Sequence, residues 1–191
     1  MAILKIARMG HPVLKKVAEP VDDPTASSVA RLVDNMVETM LDAPGQGLAA
    51  PQVYVSKRIV VYIPPPPDED DDGEDSDDGR KIRVLVNPLI SRLDDDMTDN
   101  WEGCLSVPDL RGVVPRYTRI HIAATRLDGS AIDETVEGHH ARVIQHECDH
   151  LDGVLYPQRM TDLSTLMFES EMRHLIAEAR AAREAAEEPL S

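Results

Sequence analysis

The chain has 191 residues, 35 of them Asp or Glu against 20 Lys or Arg, for a formal charge of −15. That length suits one domain with at most a tail, and 42% hydrophobic with 29% charged residues excludes disorder throughout. The acidic balance and the scarcity of aromatics (Trp101, Phe168 and four Tyr) argue against nucleic-acid binding and leave Val, Leu, Ile, Met and Ala to build the core.

The basic N-terminus is interrupted by Lys5 and Arg8, so it has no apolar signal-peptide core. Asp23-Pro24 predicts a helix start, with Asp as N-cap and Pro at the first helical position. Val29, Val33, Met36, Val37, Met40 and Leu41 then recur at helical spacing until Pro44-Gly45. Gly45 to Gln52 reads as a close-packed turn of small residues, and Arg58 to Ile63 as a strand.

Pro64 to Pro67 lead into a block holding nine of the 35 acids between Asp68 and Asp78. Residues 64–80 are expected to form an exposed, mobile insertion. Without that block the chain carries 26 acids against 20 bases, an ordinary balance. Strands are predicted at 82–87, ending at Asn87-Pro88, and near 112–117, 118–126 and 131–136, with Asp128-Gly129 turning the last hairpin. A helix follows from Gly138 to about Leu151, stopped by Gly153, and a last helix from near Thr161 to about Glu187. The fold class is α+β: antiparallel strands around a central helix, with N- and C-terminal helices. Residues 1–170 form the expected catalytic domain and 171–191 a C-terminal helix and tail.

Nowhere do apolar residues run to the roughly 18 that a transmembrane helix needs. Cys104 and Cys148 make no disulfide framework, so a reducing cytosol is the expected compartment.

His146-Glu147-Cys148-Asp149-His150 is an H-E-x-x-H on a helix. Residues at i and i+4 share a face, so both imidazoles can grip one metal ion with Glu147 beside a bound water. A tetrahedral site needs a third protein ligand and an open position. Residue 156, where a metzincin protease has its third His, is Tyr; Glu169 or Glu171 would serve a thermolysin-like endopeptidase; Cys104 is the upstream candidate. Cys148 lies about 200° around the helix from His146, and a small buried hydrophobe suits it better than a redox role. His11, His121, His139, His140 and His174 read as packing or surface residues. Arg142, one turn before His146, would be out of place in a wholly apolar pocket unless its charge is paired.

Three separated segments carry a resemblance. Gly45-x-Gly47-x-Ala49-Ala50-x-Gln52, Glu102-Gly103-Cys104-Leu105-Ser106 and Gln145-His146-Glu147-x-Asp149-His150 resemble the signature motifs of peptide deformylases, in the family's order and spacing. The resemblance covers roughly residues 5–170. It implies a metal-dependent hydrolase that removes the N-formyl group from the N-terminal methionine of new polypeptides, releasing formate. Cys104, His146 and His150 would be the metal ligands and Glu147 the general acid and base. Gln52 and the Leu105 backbone N–H would donate to the developing oxyanion, and Gly47 would meet the peptide through its main chain. Glu102 and Arg111 match positions that support or touch the substrate site.

The resemblance further implies one divalent ion, natively Fe(II), with zinc, nickel or cobalt as substitutes. Its partners would be nascent N-formylmethionyl chains, with at most a weak ribosome contact, because residues 162–191 carry seven acids against Arg173, Arg180 and Arg183. No membrane or direct nucleic-acid contact is expected, and the expected state is a monomer. The bacterial cytoplasm fits best, an organelle after transit-peptide removal less well. Two other readings compete. An H-E-x-x-H metallo-endopeptidase would leave Cys104 dispensable, and a degenerate binding module would lack a site residue, which this chain does not.

Overall fold

The computed structural model describes residues 2–65 and 82–187. Apart from Pro64 and Pro65, the segment expected as an exposed insertion therefore lies outside the described residues, as does the tail beyond Glu187.

A 3-10 turn at Pro12–Lys15 precedes α1 (Ser27–Asp42), which begins later than the Asp23-Pro24 signal predicts. The Asp23 carboxylate is spent locally, accepting from Thr25 N at 2.9 Å and Thr25 Oγ1 at 2.6 Å, so it closes a turn instead of capping the helix. The small-residue turn is itself structured, as β1 (Gly47–Ala49) and a 3-10 turn at Ala50–Val53. Next come β2 (Ile59–Tyr62), β3 (Arg83–Arg92), β4 (Met97–Cys104), β5 (Val107–Tyr117), β6 (Arg119–Thr125) and β7 (Ala131–Glu137). The chain ends in α2 (Gly138–Leu151), β8 (Met167–Phe168) and α3 (Met172–Glu187).

Antiparallel pairing orders β1-β2-β3-β6-β7 in a five-stranded sheet and β4-β5-β8 in a three-stranded one. The alternation along β2 fixes the layers. Val60 and Tyr62 join Leu85, Ile120 and Ile122 beneath Ala141, Ile144, Cys148 and Leu151 of α2. Ile59 and Val61 face the other way, onto Val33, Met36 and Met40 of α1. The sheet is thus covered on both faces, and each fully buried aliphatic contributes about 1.5–3 kcal/mol. A third cluster, Val107, Val114, Leu155 and Tyr156, sits under the small sheet.

Three further sequence expectations need correction. β3 does not stop at Asn87-Pro88 but passes through a register shift there and runs on to Arg92. Asn87, at φ +52°, uses its amide to accept from Val21 N at 2.8 Å and donate to Val21 O at 2.9 Å, which holds the bulge. β4 was not expected because Met97 to Asn100 are exposed and mostly polar; pairing with β5 makes the strand, not burial. The last helix starts at Met172, since Asp162 caps a 3-10 turn at Leu163–Thr165 and Met167–Phe168 pair with Leu110–Arg111. Among the described residues no helix is long and apolar enough to cross a membrane.

Candidate active site

α2 projects His146 and His150 from one face, and the β4–β5 turn brings Cys104 to meet them. Cys104 Sγ lies 3.3 Å from His150 Nε2, and the three candidate ligand atoms all fall within 4.8 Å of one another. A soft thiolate with two imidazoles is a donor set for zinc or iron. His146 Nδ1 lies 2.8 Å from Glu102 Oε2, which fixes that ring and leaves its other nitrogen for the cluster. Its ring also stacks on Tyr156, 6.3 Å between centroids. Burial opposes ionisation of Cys104, but the His150 and His146 imidazoles outweigh it and hold the thiol well below its usual range. Ser106 N at 3.4 Å and Gln52 Nε2 at 3.6 Å also face the sulfur.

Glu147 follows His146 and is 5% exposed, with Oε2 buried and lacking a partner among the described residues. Burial pushes its carboxyl up to about 7 against the attraction of His146 and His150. Gln52 is oriented by its own turn: Ala49 N donates to Oε1 at 2.8 Å, which aims Nε2 at Ser106 Oγ, 3.2 Å away. The N-terminal segment ties this wall down through Ala7 N to Gln52 O and Met9 N to Ser106 O, both 2.7 Å.

Behind the cluster runs a buried charge network. Arg116 grips Glu102 with two bonds, Nε to Oε1 at 2.9 Å and Nη2 to Oε2 at 3.0 Å, and reaches Asp149 Oδ2 with Nη1 at 2.6 Å. Arg142 Nη1 adds a bond to Glu102 Oε1 at 2.9 Å, and Arg159 Nη2 donates to Asp149 Oδ1 at 2.7 Å. Burial pushes the Glu102 carboxyl up, but His146 and Arg116 outweigh it and hold it at about 2. Because that carboxylate is fully engaged, Glu102 can support the site, whereas a direct side-chain contact with substrate has no free oxygen to use.

Cys104, His146, Glu147, Gln52, Leu105 and Gly47 all line one cleft of about 670 Å³. Arg111 lies at its rim across Gly103, where a Cβ would stand 2.6 Å from the Arg111 Cζ, and pairs with Glu169 at 2.9 Å. Glu169, a candidate third ligand for an endopeptidase, is thereby engaged outside the Cys–His–His cluster. The histidines read as non-ligands have other neighbours: His140 Tyr62, His121 Asp133, and His139 Gln46.

A family model described as polypeptide deformylase matches residues 3–165. The chain belongs to the peptide deformylase family. These enzymes are metal-dependent hydrolases that remove the N-formyl group from N-terminal methionine, and the endopeptidase reading is not favoured. The chain is 47% identical over 166 residues to peptide deformylase 2 of Ralstonia nicotianae, covering 87% of this chain and 92% of that one. It is 42% identical over 172 residues to peptide deformylase 1 of Prochlorococcus marinus, covering 90% and 88%. Among solved structures, the Met-Ala-Ser-bound class I type b peptide deformylase of Acinetobacter baumannii matches with TM-score 0.73 and 35% identity, covering 83% of this chain and 98% of that one. Peptide deformylase of Thermotoga maritima matches with TM-score 0.72 and 35% identity, covering 84% and 99%.

On this deformylase scaffold, Arg116, Arg142 and Ser106 complete the surroundings of the cluster, and sequence reasoning gave none of them a part. Ser106 sat inside a recognised motif and Arg142 one turn from His146, so both left a signal. Arg116 left none, because one Arg in a β-branched strand reads as surface.

Proposed function

We propose that this chain deformylates nascent N-formylmethionyl peptides, with Cys104, His146 and His150 holding one divalent ion. Fe(II) is the native ion in this reading, with zinc, nickel or cobalt able to replace it. The observation that carries it is the partnerless Oε2 of Glu147, held out of bulk water in the same cleft as the Cys–His–His cluster.

When bound, the ion supplies a Lewis acid that acidifies water and draws charge from the formyl oxygen. Glu147 takes the proton of the attacking water at Oε2 and returns it to the methionyl nitrogen as the C–N bond breaks, yielding formate and a free amino terminus. Gln52 Nε2 and the Leu105 N–H donate to the carbonyl oxygen as its charge grows. Gly47 meets the peptide through its own main chain, and Arg111 stands at the rim where the downstream peptide leaves. Glu102 holds the His146 ring and touches no reacting atom. Nascent chains in a bacterial cytoplasm are the substrate pool, the protein acts as a monomer, and its acidic C-terminal segment gives at most a weak ribosome contact.

Formate release from formyl-Met-Ala-Ser tests this. The wild-type Fe(II) protein, kept anaerobic, should be active and exceed the zinc form, while Cys104→Ala and Glu147→Gln should be inactive. Activity that survives Cys104→Ala would overturn the ligand assignment.

A further inference from the structure

β8 meets β5 through two residue pairs, Met167 with Arg111 and Phe168 with Leu110. The 3-10 turn that follows, Glu169–Glu171, brings Glu169 to the lining of the cleft. There Arg111 Nη2 donates to Glu169 Oε1 at 2.9 Å. The family match ends at residue 165, so Glu169 lies beyond the segment that identifies the family. Arg111 is seated against the backbone of Gly103, where no Cβ would fit, next to Cys104. The two side chains are 38% and 55% exposed, so their pair is solvated and exchangeable for another carboxylate. Asp109, two residues before Arg111 on β5, also lines the cleft. With Arg111 neutralised by Glu169, these three residues offer an incoming anion no net positive charge.

We propose that Glu169 is a specificity-determining residue: by occupying Arg111 it denies that cation to a carboxylate carried by the substrate. The inference rests on the deformylase reading of the cleft, in which the downstream peptide leaves past Arg111. In a formylated tripeptide the free carboxylate lies three residues on, about 10 Å along an extended chain. A growing chain has a neutral peptide bond at the same point. A guanidinium is a strong fork for a carboxylate, so an unguarded Arg111 would favour short released peptides over growing chains. Glu169 supplies that carboxylate from within the chain, and a substrate gains at Arg111 only by displacing it. The built-in competitor thus removes an advantage that short peptides would otherwise hold.

The test compares kcat/KM for formyl-Met-Ala-Ser with that for its C-terminal amide, which differs only in lacking the carboxylate. Glu169→Gln should raise the acid-to-amide ratio about two- to fivefold over the wild type, the worth of one exposed ion pair. The change should fall on KM, because the contact is remote from the breaking bond. Arg111→Gln leaves Glu169 to repel the acid, and should move the ratio below the wild-type value. If Glu169 only braced the segment after β8, its loss would slow both peptides alike; an unmoved ratio in Glu169→Gln therefore overturns the assignment. An unmoved ratio in Arg111→Gln does the same, so the two variants decide independently should one fold poorly. If the wild type releases no formate from either peptide, the deformylase reading itself fails and takes this inference with it.

Discussion

The carboxylate of Glu147 occupies the space that a side chain on Gly47 would fill: a Cβ there would stand 2.6 Å from Glu147 Cδ and 2.8 Å from its Cγ. β1 and α2 therefore approach each other across a gap that only glycine allows, and Glu147 has little room to turn. Gly47→Ala should displace the carboxylate while leaving Cys104, His146 and His150 in place. A misplacement of about 1 Å costs on the order of 10²-fold in rate, so kcat should fall by that much while metal content is unchanged. Metal analysis beside steady-state kinetics checks this; a variant as fast as the wild type would mean that Glu147 works equally well from another position.

Glu102 is the hub of the buried charges, shared by Arg116, Arg142 and His146. Glu102→Gln keeps the size but leaves two guanidinium groups under-compensated in the interior. Breaking a buried pair from one side costs about 3–5 kcal/mol, and at about 2–4 °C per kcal/mol for a chain of this size the melting temperature should drop by roughly 6–20 °C. Metal affinity should weaken by about 10–100-fold as the His146 ring loses its anchor. Calorimetry and metal titration read the two effects separately. A stable variant with weakened metal affinity would assign Glu102 to ring orientation alone.

How much of this was legible in the sequence follows from which forces act locally. The H-E-x-x-H face of α2 was readable because helical periodicity alone brings His146 and His150 together. Gln52 and Cys104 were readable only through motif resemblance, since their meeting depends on strand pairing between distant segments. β4 escaped because its outer half is polar and exposed, so no alternation marked it. Arg116 escaped for a related reason: nothing in a strand reports that two carboxylates, Glu102 and Asp149, converge on it from elsewhere. The charge of Arg142, which looked out of place in an apolar pocket, is explained by partners on two other strands.

Gln52 is held by Ala49 N on one side and directs its amide toward Ser106 and Cys104 on the other. Gln52→Leu removes that donor at nearly constant volume. If the amide meets charge that develops only during reaction, kcat should fall by about 10²–10³-fold with little change in KM. A rise in KM at constant kcat would instead assign Gln52 to ground-state binding. The Ala49 N–H, buried and left without its acceptor, contributes a separate stability loss of about 1–3 kcal/mol, which thermal denaturation would register.

On the proposed ligation by Cys104, His146 and His150 the ion would join α2 to the β4–β5 turn, so removing it should loosen the whole protein. An ion bound by the folded chain at about 1,000 times its Kd contributes about 4 kcal/mol, so chelation should lower the melting temperature by roughly 8–16 °C and abolish formate release. Restoring a divalent ion should recover both. The two cysteines separate ligation from packing. Cys104→Ala should melt at one temperature with or without chelator, since its cluster has lost the sulfur. Cys148 is 3% exposed among Ile144 and Leu151, and burial pushes its thiol well above the ordinary range, so it is a packing residue facing the sheet. Cys148→Ala should lose some stability yet keep its full response to chelator. If Cys148→Ala instead abolished that response, Cys104 could not be the sulfur that binds the ion.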